Sequence, residues 1–281
     1  MRCDSHVHLV GPIGQYPQLA SRTYTADVAT LKQLETVAAA RAVRRFVIVQ
    51  PSFYGADDTL LLDGLRLLGA RGRGVAVIEP ERTPVRTLAS YAREGVRGLR
   101  LNLYSPIRDK GPLAERFMAL AGVAHDLGWH VEIIAPLSHI VAATAVLAQS
   151  RVPLVIDHYG LYATARPEDA EGRALLELLA MPHVWMKLSA PYRVSRDHLA
   201  TRPDPEWLAA MLSAAPDRCV WGSDWPHTPP LDEQKTREKI APYRPLRYDK
   251  LVDDFLEAIG SADLAERILS DNPARLYAFE A

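Results

Sequence analysis

The sequence predicts a single (β/α)₈ barrel, the TIM-barrel form of the α/β class, over residues 1–281. Eight short apolar runs alternate with stretches that carry helix signals, and this alternation is typical of parallel α/β folds. Several runs are continuously apolar, as expected for strands that helices cover. A length of 281 residues suits one barrel domain. The predicted strands, in chain order, are Cys3–Leu9, Arg45–Pro51, Gly74–Pro80, Gly98–Tyr104, Trp129–Pro136, Val152–His158, Val184–Ser189 and Arg218–Trp225.

Capping residues mark helices between these strands. Thr83, followed by proline, predicts a helix start with proline at the first helical position, and Gly95 predicts the end of that helix. Gly128 closes the helical stretch that precedes the fifth strand. Asp204, also followed by proline, and Ser261 predict two further helix starts.

Two longer loops interrupt the alternation, at Gly11–Thr25 and Pro226–Arg247. Both follow strands. We therefore expect them to lie over the C-terminal mouth of the barrel, where active sites of this fold are found.

Composition and charge exclude several classes of function. The chain is 48% hydrophobic and 24% charged with a net charge of −1, so no bulk field attracts nucleic acid or membrane. Cys3 and Cys219 form neither a disulfide framework nor a zinc pattern, and we interpret them as small buried hydrophobic residues. With no apparent signal peptide or membrane-spanning run, a cytoplasmic enzyme is expected.

The most informative segment is the first strand. Side chains alternate along a strand, so Asp4, His6 and His8 are predicted to point the same way, with the two imidazoles about 7 Å apart along the backbone. Two such imidazoles can serve one metal ion or one substrate carbonyl.

Other polar residues follow the remaining predicted strands. Because the first and eighth strands of a closed barrel are neighbours, Asp224 is expected beside His6 and His8, with His158 facing them. Lys187 is interpreted as a structural residue that pairs with Glu132 or Asp157. The convergence of so many polar groups at one mouth predicts a catalytic site.

Several segments resemble the amidohydrolase superfamily, and within it the branch of metal-independent lactonases that includes the 2-pyrone-4,6-dicarboxylate lactonases. The resemblance covers essentially the whole chain. The Gly-Ser-Asp-Trp-Pro-His block at the end of the eighth strand is its most specific part. The matching segments are His6–His8, Val49–Gly55, Asp157–Gly160, Lys187–Arg193, Gly222–His227 and Asn272–Tyr277.

The resemblance implies roles for individual residues. Asp224 would be the general base for the attacking water, and His6, His8 and His158 would hydrogen-bond the lactone carbonyl. A second basic residue follows the fourth strand in the dicarboxylate lactonases, and Arg108 is the candidate for it here. The remaining residues expected to bind the substrate are Tyr24, Ser52, Tyr54, Arg100, Arg193 and His227.

Because the resemblance is to metal-independent lactonases, no metal or other cofactor is expected. Metal-dependent members of the superfamily usually add a fifth-strand histidine, whereas His130 lies near the start of that strand, away from the mouth. The alternative is a single zinc ion, because the set of three histidines and one aspartate offers plausible ligands. That set is His6, His8, His158 and Asp224.

The expected function is a hydrolase that opens a carboxylated lactone. A compound like 2-pyrone-4,6-dicarboxylate, a muconolactone or a sugar-acid lactone would fit, and breakdown of aromatic compounds is one setting. One alternative is a zinc-dependent decarboxylase or hydrolase of the same superfamily, and another is a non-catalytic carboxylate-binding barrel. The expected partner is a small molecule, with no nucleic acid or membrane, and the protein is expected to be a monomer or homodimer.

Overall fold

The computed structural model describes residues 1–105, 111–230 and 237–280 and contains the predicted barrel. Eight strands pair in parallel, each with the next in the chain, which confirms the predicted fold class. The strands are β1 (Arg2–Val7), β2 (Val43–Val49), β3 (Gly72–Ala76), β4 (Val96–Asn102), β5 (His130–Ile134), β6 (Leu154–Ile156), β7 (Val184–Ser189) and β8 (Cys219–Gly222).

Helices connect consecutive strands and cover the outside of the barrel. Among the described residues, no helix is both long and apolar enough to cross a membrane. The α-helices are α1 (Leu31–Ala39), α2 (Thr59–Leu68), α3 (Val85–Glu94), α4 (Leu113–Leu127), α5 (Leu137–Ala142), α6 (Thr144–Leu147), α7 (Ala170–Ala180), α8 (Pro205–Ala214), α9 (Tyr248–Ile259), α10 (Ala262–Glu266) and α11 (Asn272–Leu276).

The predicted helix ends at Gly95, Gly128, Asp204 and Ser261 are confirmed, whereas Thr83 is not the N-cap of α3. The Asp204 carboxylate accepts two backbone N–H groups at the start of α8, and Ser261 accepts one at the start of α10. Gly95 and Gly128 end α3 and α4 with φ values of 104° and 65°, which glycine adopts without steric cost. Pro84 precedes α3 instead of occupying its first helical position.

The seam between β1 and β8 closes the barrel through backbone hydrogen bonds. The His8 N–H donates to the Trp225 carbonyl at 2.8 Å, and the Asp224 N–H donates to the His6 carbonyl at 2.9 Å. The Asp4 carboxylate accepts the Ser223 N–H at 2.9 Å across the same seam. The two segments that close the barrel therefore also contain three of the predicted catalytic residues, His6, His8 and Asp224.

The prediction that Asp4 points the same way as His6 and His8 is wrong. The Asp4 carboxylate accepts the hydroxyl of Tyr248 on α9 at 3.0 Å, so it faces the helical layer. The register between β1 and β2 shifts after Asp4, where three residues of β1 pass two of β2. Such a bulge breaks the alternation of side chains that the prediction assumed.

Several strands are shorter than the sequence predicts. The sixth ends at Ile156 rather than His158, and the eighth at Gly222 rather than Trp225. His158 and Asp224 have positive φ values of 51° and 58°, which are uncommon for non-glycine residues and incompatible with a strand. Such conformations cluster at functional sites, where the surrounding structure enforces them.

The two long loops meet at the mouth of the barrel. Thr25–Ala26, where the first loop ends, pairs in parallel with Ile240–Ala241 of the second. At the opposite end, Tyr277 and Phe279 pack against apolar side chains of the first strands, including Cys3. The C-terminal segment thus closes the end of the barrel opposite the mouth. The buried polar side chains of the barrel interior lie towards the mouth.

The close approach of β1 and β8 yields a stability prediction. A Cβ atom at Gly222 would lie 2.7 Å from the Cβ of His6 and 2.9 Å from its backbone nitrogen. We expect Gly222→Ala to lower the free energy of unfolding by about 1–3 kcal/mol, because the seam must widen. The midpoint of urea unfolding, followed by circular dichroism, measures the change.

Gly122 provides the matched control. It lies within α4, and a Cβ atom there would meet nothing within 4 Å. Gly122→Ala is expected to raise the free energy of unfolding by about 0.4–1 kcal/mol, since alanine restricts the unfolded chain. Equal stability of Gly222→Ala and the wild type would contradict the tight seam.

Candidate active site

Asp224 is fully buried, and its two carboxylate oxygens have different surroundings. Oδ2 accepts the Tyr192 hydroxyl at 2.7 Å. The same oxygen accepts Nε of Arg193 at 2.8 Å and lies 2.7 Å from its Nη2. Three donors on one oxygen fix the orientation of the carboxylate.

The other oxygen of Asp224 faces three imidazoles. Oδ1 lies 3.3 Å from Nε2 of His8, 3.6 Å from Nε2 of His6 and 3.9 Å from Nε2 of His158. Within the described parts of the chain, Oδ1 and the His158 Nε2 have no hydrogen-bond partner. These atoms therefore border a small polar space in which a reacting molecule could bind.

The electrostatic environment favours an ionised carboxylate beside neutral imidazoles. Burial alone would raise the pKa of Asp224, but the Arg193 guanidinium holds that pKa well below its usual range. Burial lowers the pKa of His8, and lowers the pKa of His158 to about 3. Burial and the positive charge of Lys187 lower the pKa of His6.

A buried ion cluster lies behind His6. The Lys187 ammonium contacts the Glu132 carboxylate and lies 3.5 Å from Asp157 Oδ1, in line with the expected structural pairing. Its Nζ is also 3.0 Å from Nδ1 of His6. Burial and the nearby Asp157 raise the pKa of Glu132, whereas the Lys187 ammonium lowers it and favours the ionised carboxylate. His130 is buried near the start of β5 and packs closely against Gly98.

The pocket above the carboxylate contains four of the predicted substrate-binding residues: Tyr24, Ser52, Arg100 and Arg193. This pocket of about 50 Å³ adjoins a cavity of about 430 Å³, and Ser52 and Arg100 line both. Arg100 donates through Nη1 to the Gln50 carbonyl at 2.6 Å. Its buried Nε has no hydrogen-bond partner in the described structure, which leaves a donor for an anion.

Three predicted residues do not line this pocket. The Tyr54 hydroxyl accepts the Gly11 N–H at 3.1 Å and thereby supports the first long loop. His227 lies behind the carboxylate, with Nδ1 3.4 Å from the Tyr192 hydroxyl. Arg108 lies outside the described residues.

Two features of the site were not anticipated. No role was predicted for Tyr192, although a buried tyrosine hydroxyl usually has a hydrogen-bond partner and Tyr192 lies in the matching segment Lys187–Arg193. Arg193 was expected to clamp a substrate carboxylate, and the structure shows it paired with Asp224 and with the Thr228 hydroxyl at 2.8 Å. Only knowledge of which side chains converge could have identified these pairings.

The site fits a metal ion by spacing. Ligand atoms of His6, His8 and Asp224 lie within 4.8 Å of one another, and so do those of His6, Asp157 and His158. A metal-ligating histidine usually donates its other ring N–H to a carboxylate or carbonyl. His8 has that arrangement, with Nδ1 2.7 Å from the Val49 carbonyl oxygen, but His6 has the Lys187 ammonium at that position. The ammonium lies nearer to this nitrogen than the Asp157 carboxylate does, at 3.0 Å against 3.4 Å, which favours a donor over a ligand at Nε2.

Comparison with known sequences identifies one family and several relatives. Residues 3–279 match the amidohydrolase family. A 2-pyrone-4,6-dicarboxylate hydrolase of Comamonas testosteroni is 30% identical over 98% of this chain and 89% of that protein. A 4-sulfomuconolactone hydrolase of Hydrogenophaga intermedia is 27% identical over 98% of this chain and 88% of its own length.

Solved structures show the same architecture. A Pseudomonas putida protein assigned as a 2-pyrone-4,6-dicarboxylic acid hydrolase superimposes with a TM-score of 0.82 at 30% identity, covering 100% of this chain and 98% of that one. An amidohydrolase of Burkholderia multivorans with bound zinc gives a TM-score of 0.71 at 25% identity, with 100% of both chains covered.

The Tyr192 hydrogen bond yields a pH-dependent prediction. The folded pKa of Asp224 is depressed, so its stabilising contribution is present above the unfolded value of about 3.9 and is lost as pH falls through the folded pKa. We expect Tyr192→Phe to cost about 1.5–3 kcal/mol of unfolding free energy at pH 7. That cost should persist while Asp224 is ionised in the folded protein and shrink only as pH falls through its depressed folded pKa. Urea unfolding at pH 7 and at acid pH below about 3.9 measures it.

The control is Tyr162→Phe, since the Tyr162 ring stacks on Trp207 with centroids 4.6 Å apart. Its cost should not follow the titration of Asp224. In an Asp224→Asn background, the pH-dependent part of the Tyr192→Phe effect should vanish. An equal Tyr192→Phe cost at pH 7 in the wild-type and Asp224→Asn backgrounds would show that the hydroxyl does not stabilise the ionised carboxylate.

Proposed function

The chain belongs to the amidohydrolase family, and we propose that it is a hydrolase that opens a carboxylated lactone by addition of water to the ring carbonyl. The relatives described above are named as hydrolases of such lactones. The observation that carries the proposal is Asp224, with one oxygen bound by Tyr192 and Arg193 and the other facing three imidazoles. A pyrone dicarboxylate, a muconolactone or a sugar-acid lactone would suit this site, and breakdown of aromatic compounds is one such setting.

Asp224 and His8 would bind the attacking water. The His8 Nδ1 donates to the Val49 carbonyl, so Nε2 of the neutral ring is an acceptor. That nitrogen and Asp224 Oδ1 are 3.3 Å apart and can accept the two hydrogens of one water molecule. Asp224 would take the proton as the water oxygen attacks, which typically accelerates a reaction by about 10²–10⁴-fold. This reassigns His8 from the lactone carbonyl to the water.

His6 and His158 would bind the carbonyl oxygen. Their Nε2 atoms face the same space as Asp224 Oδ1, and an N–H on each would stabilise the negative charge that develops during attack. His158 can donate through Nε2 when Ser189, 2.8 Å from its Nδ1, donates to that nitrogen. Collapse of the tetrahedral intermediate breaks the ring C–O bond, and the released oxygen takes up the proton held by Asp224.

The substrate carboxylate would bind in the adjoining pocket. Arg100 offers its unpartnered Nε there, and Ser52 and Tyr24 line the same wall. A guanidinium binds a carboxylate through parallel hydrogen bonds, which gives orientation as well as affinity. Because Arg193 is already paired with Asp224, we propose that it orients the base and that Arg100 supplies the main carboxylate contact.

The proposal includes catalysis without a metal. It is supported by the Lys187 ammonium beside His6, at the position where a ligating histidine would donate to an acceptor. The competing candidate is a zinc-dependent decarboxylase or hydrolase, which the spacing of the histidines and the zinc-containing relative favour. The cytoplasmic setting and the monomeric or homodimeric state expected from the sequence stay predictions.

The decisive experiment assays purified protein against carboxylated lactones by proton release, with and without a chelator. We expect turnover that survives chelation in protein with well under one equivalent of transition metal. Asp224→Asn should abolish turnover with circular dichroism unchanged, because the base is lost. Binding without turnover would indicate a carboxylate-binding barrel, and chelator-sensitive activity with stoichiometric zinc would indicate the metal-dependent alternative.

Arg100 and Arg193 give a paired prediction. Arg100→Met should raise the KM for a carboxylated lactone roughly 10–100-fold with little change in kcat, because hydrogen bonds to a charged group are lost. Arg193→Met should mainly lower kcat, because the base loses its oriented partner. Steady-state kinetics on the carboxylated lactone and its methyl ester measure both effects. An equal KM increase for the neutral ester would remove Arg100 from the carboxylate site.

A further inference from the structure

We propose that Lys187 is a positioning residue that fixes the proton of His6 on Nε2, so that His6 is a hydrogen-bond donor in the site and not a metal ligand. The inference deepens the proposed lactone hydrolysis and rests on it for its catalytic meaning. Lys187 lies on β7 and is fully buried, with Nζ 3.0 Å from Nδ1 of His6. The two residues are separated by 181 positions in the sequence, so only the closed barrel brings them together.

The donors of the ammonium group determine where the proton of His6 lies. A lysine ammonium has three N–H donors and no acceptor, so Nδ1 of His6 must accept in this contact. A neutral imidazole carries one proton, which then lies on Nε2. The positive charge at 3.0 Å also disfavours a second proton on the ring.

Other groups face Nδ1 of His6 and could compete for that nitrogen. Asp157 Oδ1 lies at 3.4 Å and Glu132 Oε1 at 3.7 Å, and either could accept an Nδ1–H. Both are farther away than Lys187 Nζ. Both also balance its charge, since Glu132 contacts the ammonium directly and Asp157 Oδ1 is 3.5 Å from it. The ammonium is therefore the preferred partner of Nδ1.

His8 has the opposite proton arrangement. Its Nδ1 lies 2.7 Å from the Val49 carbonyl oxygen, which can only accept, so Nδ1 carries the proton and Nε2 is bare. The Nε2 atoms of His6 and His8 are 3.3 Å apart, so a protonated nitrogen lies beside a bare one. Two histidines of one His-x-His segment thus have complementary roles, one donating into the site and the other accepting.

This arrangement disagrees with metal binding by the pair. Ligation by both Nε2 atoms needs a lone pair on each, and His6 has none while Lys187 donates to its other nitrogen. The ammonium also places a positive charge within one imidazole ring of the point where a divalent cation would bind. The Lys187 ammonium is a cation supplied by the chain itself. It acts on the reaction centre through the His6 ring, whose Nε2–H it orients towards the substrate.

The first test reads the proton directly and needs no substrate. ¹⁵N-histidine NMR of the whole protein distinguishes protonated from unprotonated ring nitrogens, and the missing resonances of His6→Asn identify His6. We expect His6 to be protonated at Nε2 and His8 at Nδ1. A wild-type His6 protonated at Nδ1 would overturn the proposal, even in a protein that opens lactones. The predicted tautomers in a protein that opens no lactone would support the assignment and remove the proposed function.

The second test removes the ammonium. Lys187→Met is combined with Glu132→Gln, so that one negative charge is removed together with the positive charge of the ammonium. We expect the His6 proton to move to Nδ1, facing Asp157, and kcat to fall about 10²–10³-fold with a smaller change in KM, as for loss of one oxyanion donor. Zn²⁺ affinity, measured by calorimetry, should rise because Nε2 gains a lone pair.

The matched control is Lys250→Met, which breaks the surface ion pair between Lys250 and Asp254 on α9 and should leave the His6 tautomer and kcat unchanged. An unaltered His6 tautomer in the double variant would show that Lys187 does not determine it. If the double variant fails to fold, the wild-type spectrum still decides whether His6 has the proton arrangement that Lys187 requires.

Discussion

The interior of this barrel depends on one buried positive charge. Transfer of an ammonium group from water into a protein interior costs several kcal/mol unless close partners compensate for it. Lys187 finds that compensation in Glu132 of β5, in Asp157 at the end of β6 and in His6 of β1. Four segments of the sheet are thereby held at a fixed height relative to one another. The positions of the proposed catalytic groups, His6 and Asp224, depend on that alignment.

A series of side-chain contacts links Lys187 to the mouth of the barrel. Lys187 contacts His6, His6 faces Asp224, and Asp224 is bound by Tyr192 and Arg193. Neutral rings thus lie between two charged groups. The carboxylate keeps its charge because cationic and hydroxyl donors surround one oxygen, while the other stays available for chemistry. A base with so low a pKa is modest, and an ester is a more suitable target for it than an amide.

The sequence allowed much of this to be predicted, because burial and chain order determine it. Continuous apolar runs predicted the strands, and the circular order of a barrel brought Asp224 to His6 and His8. The direction of Asp4 was mispredicted because a bulge in β1 interrupts the alternation. The partner of Arg193 and the proton positions on the imidazoles were beyond prediction. Both depend on neighbours that are distant in sequence and on distances of a few tenths of an ångström.

The seam between β1 and β8 has a consequence for ligand-dependent stability. Asp4 and Ser223, which meet there, are 219 positions apart, and the proposed reaction centre lies directly above them. A molecule bound between His6 and Asp224 therefore bridges the two strands that close the cylinder. Its binding therefore raises the free energy of unfolding. A ligand concentration of 100 times Kd contributes about 2.7 kcal/mol. Substrate analogues should for this reason act as conformational stabilisers, with amide-exchange protection concentrated where the first and last strands join.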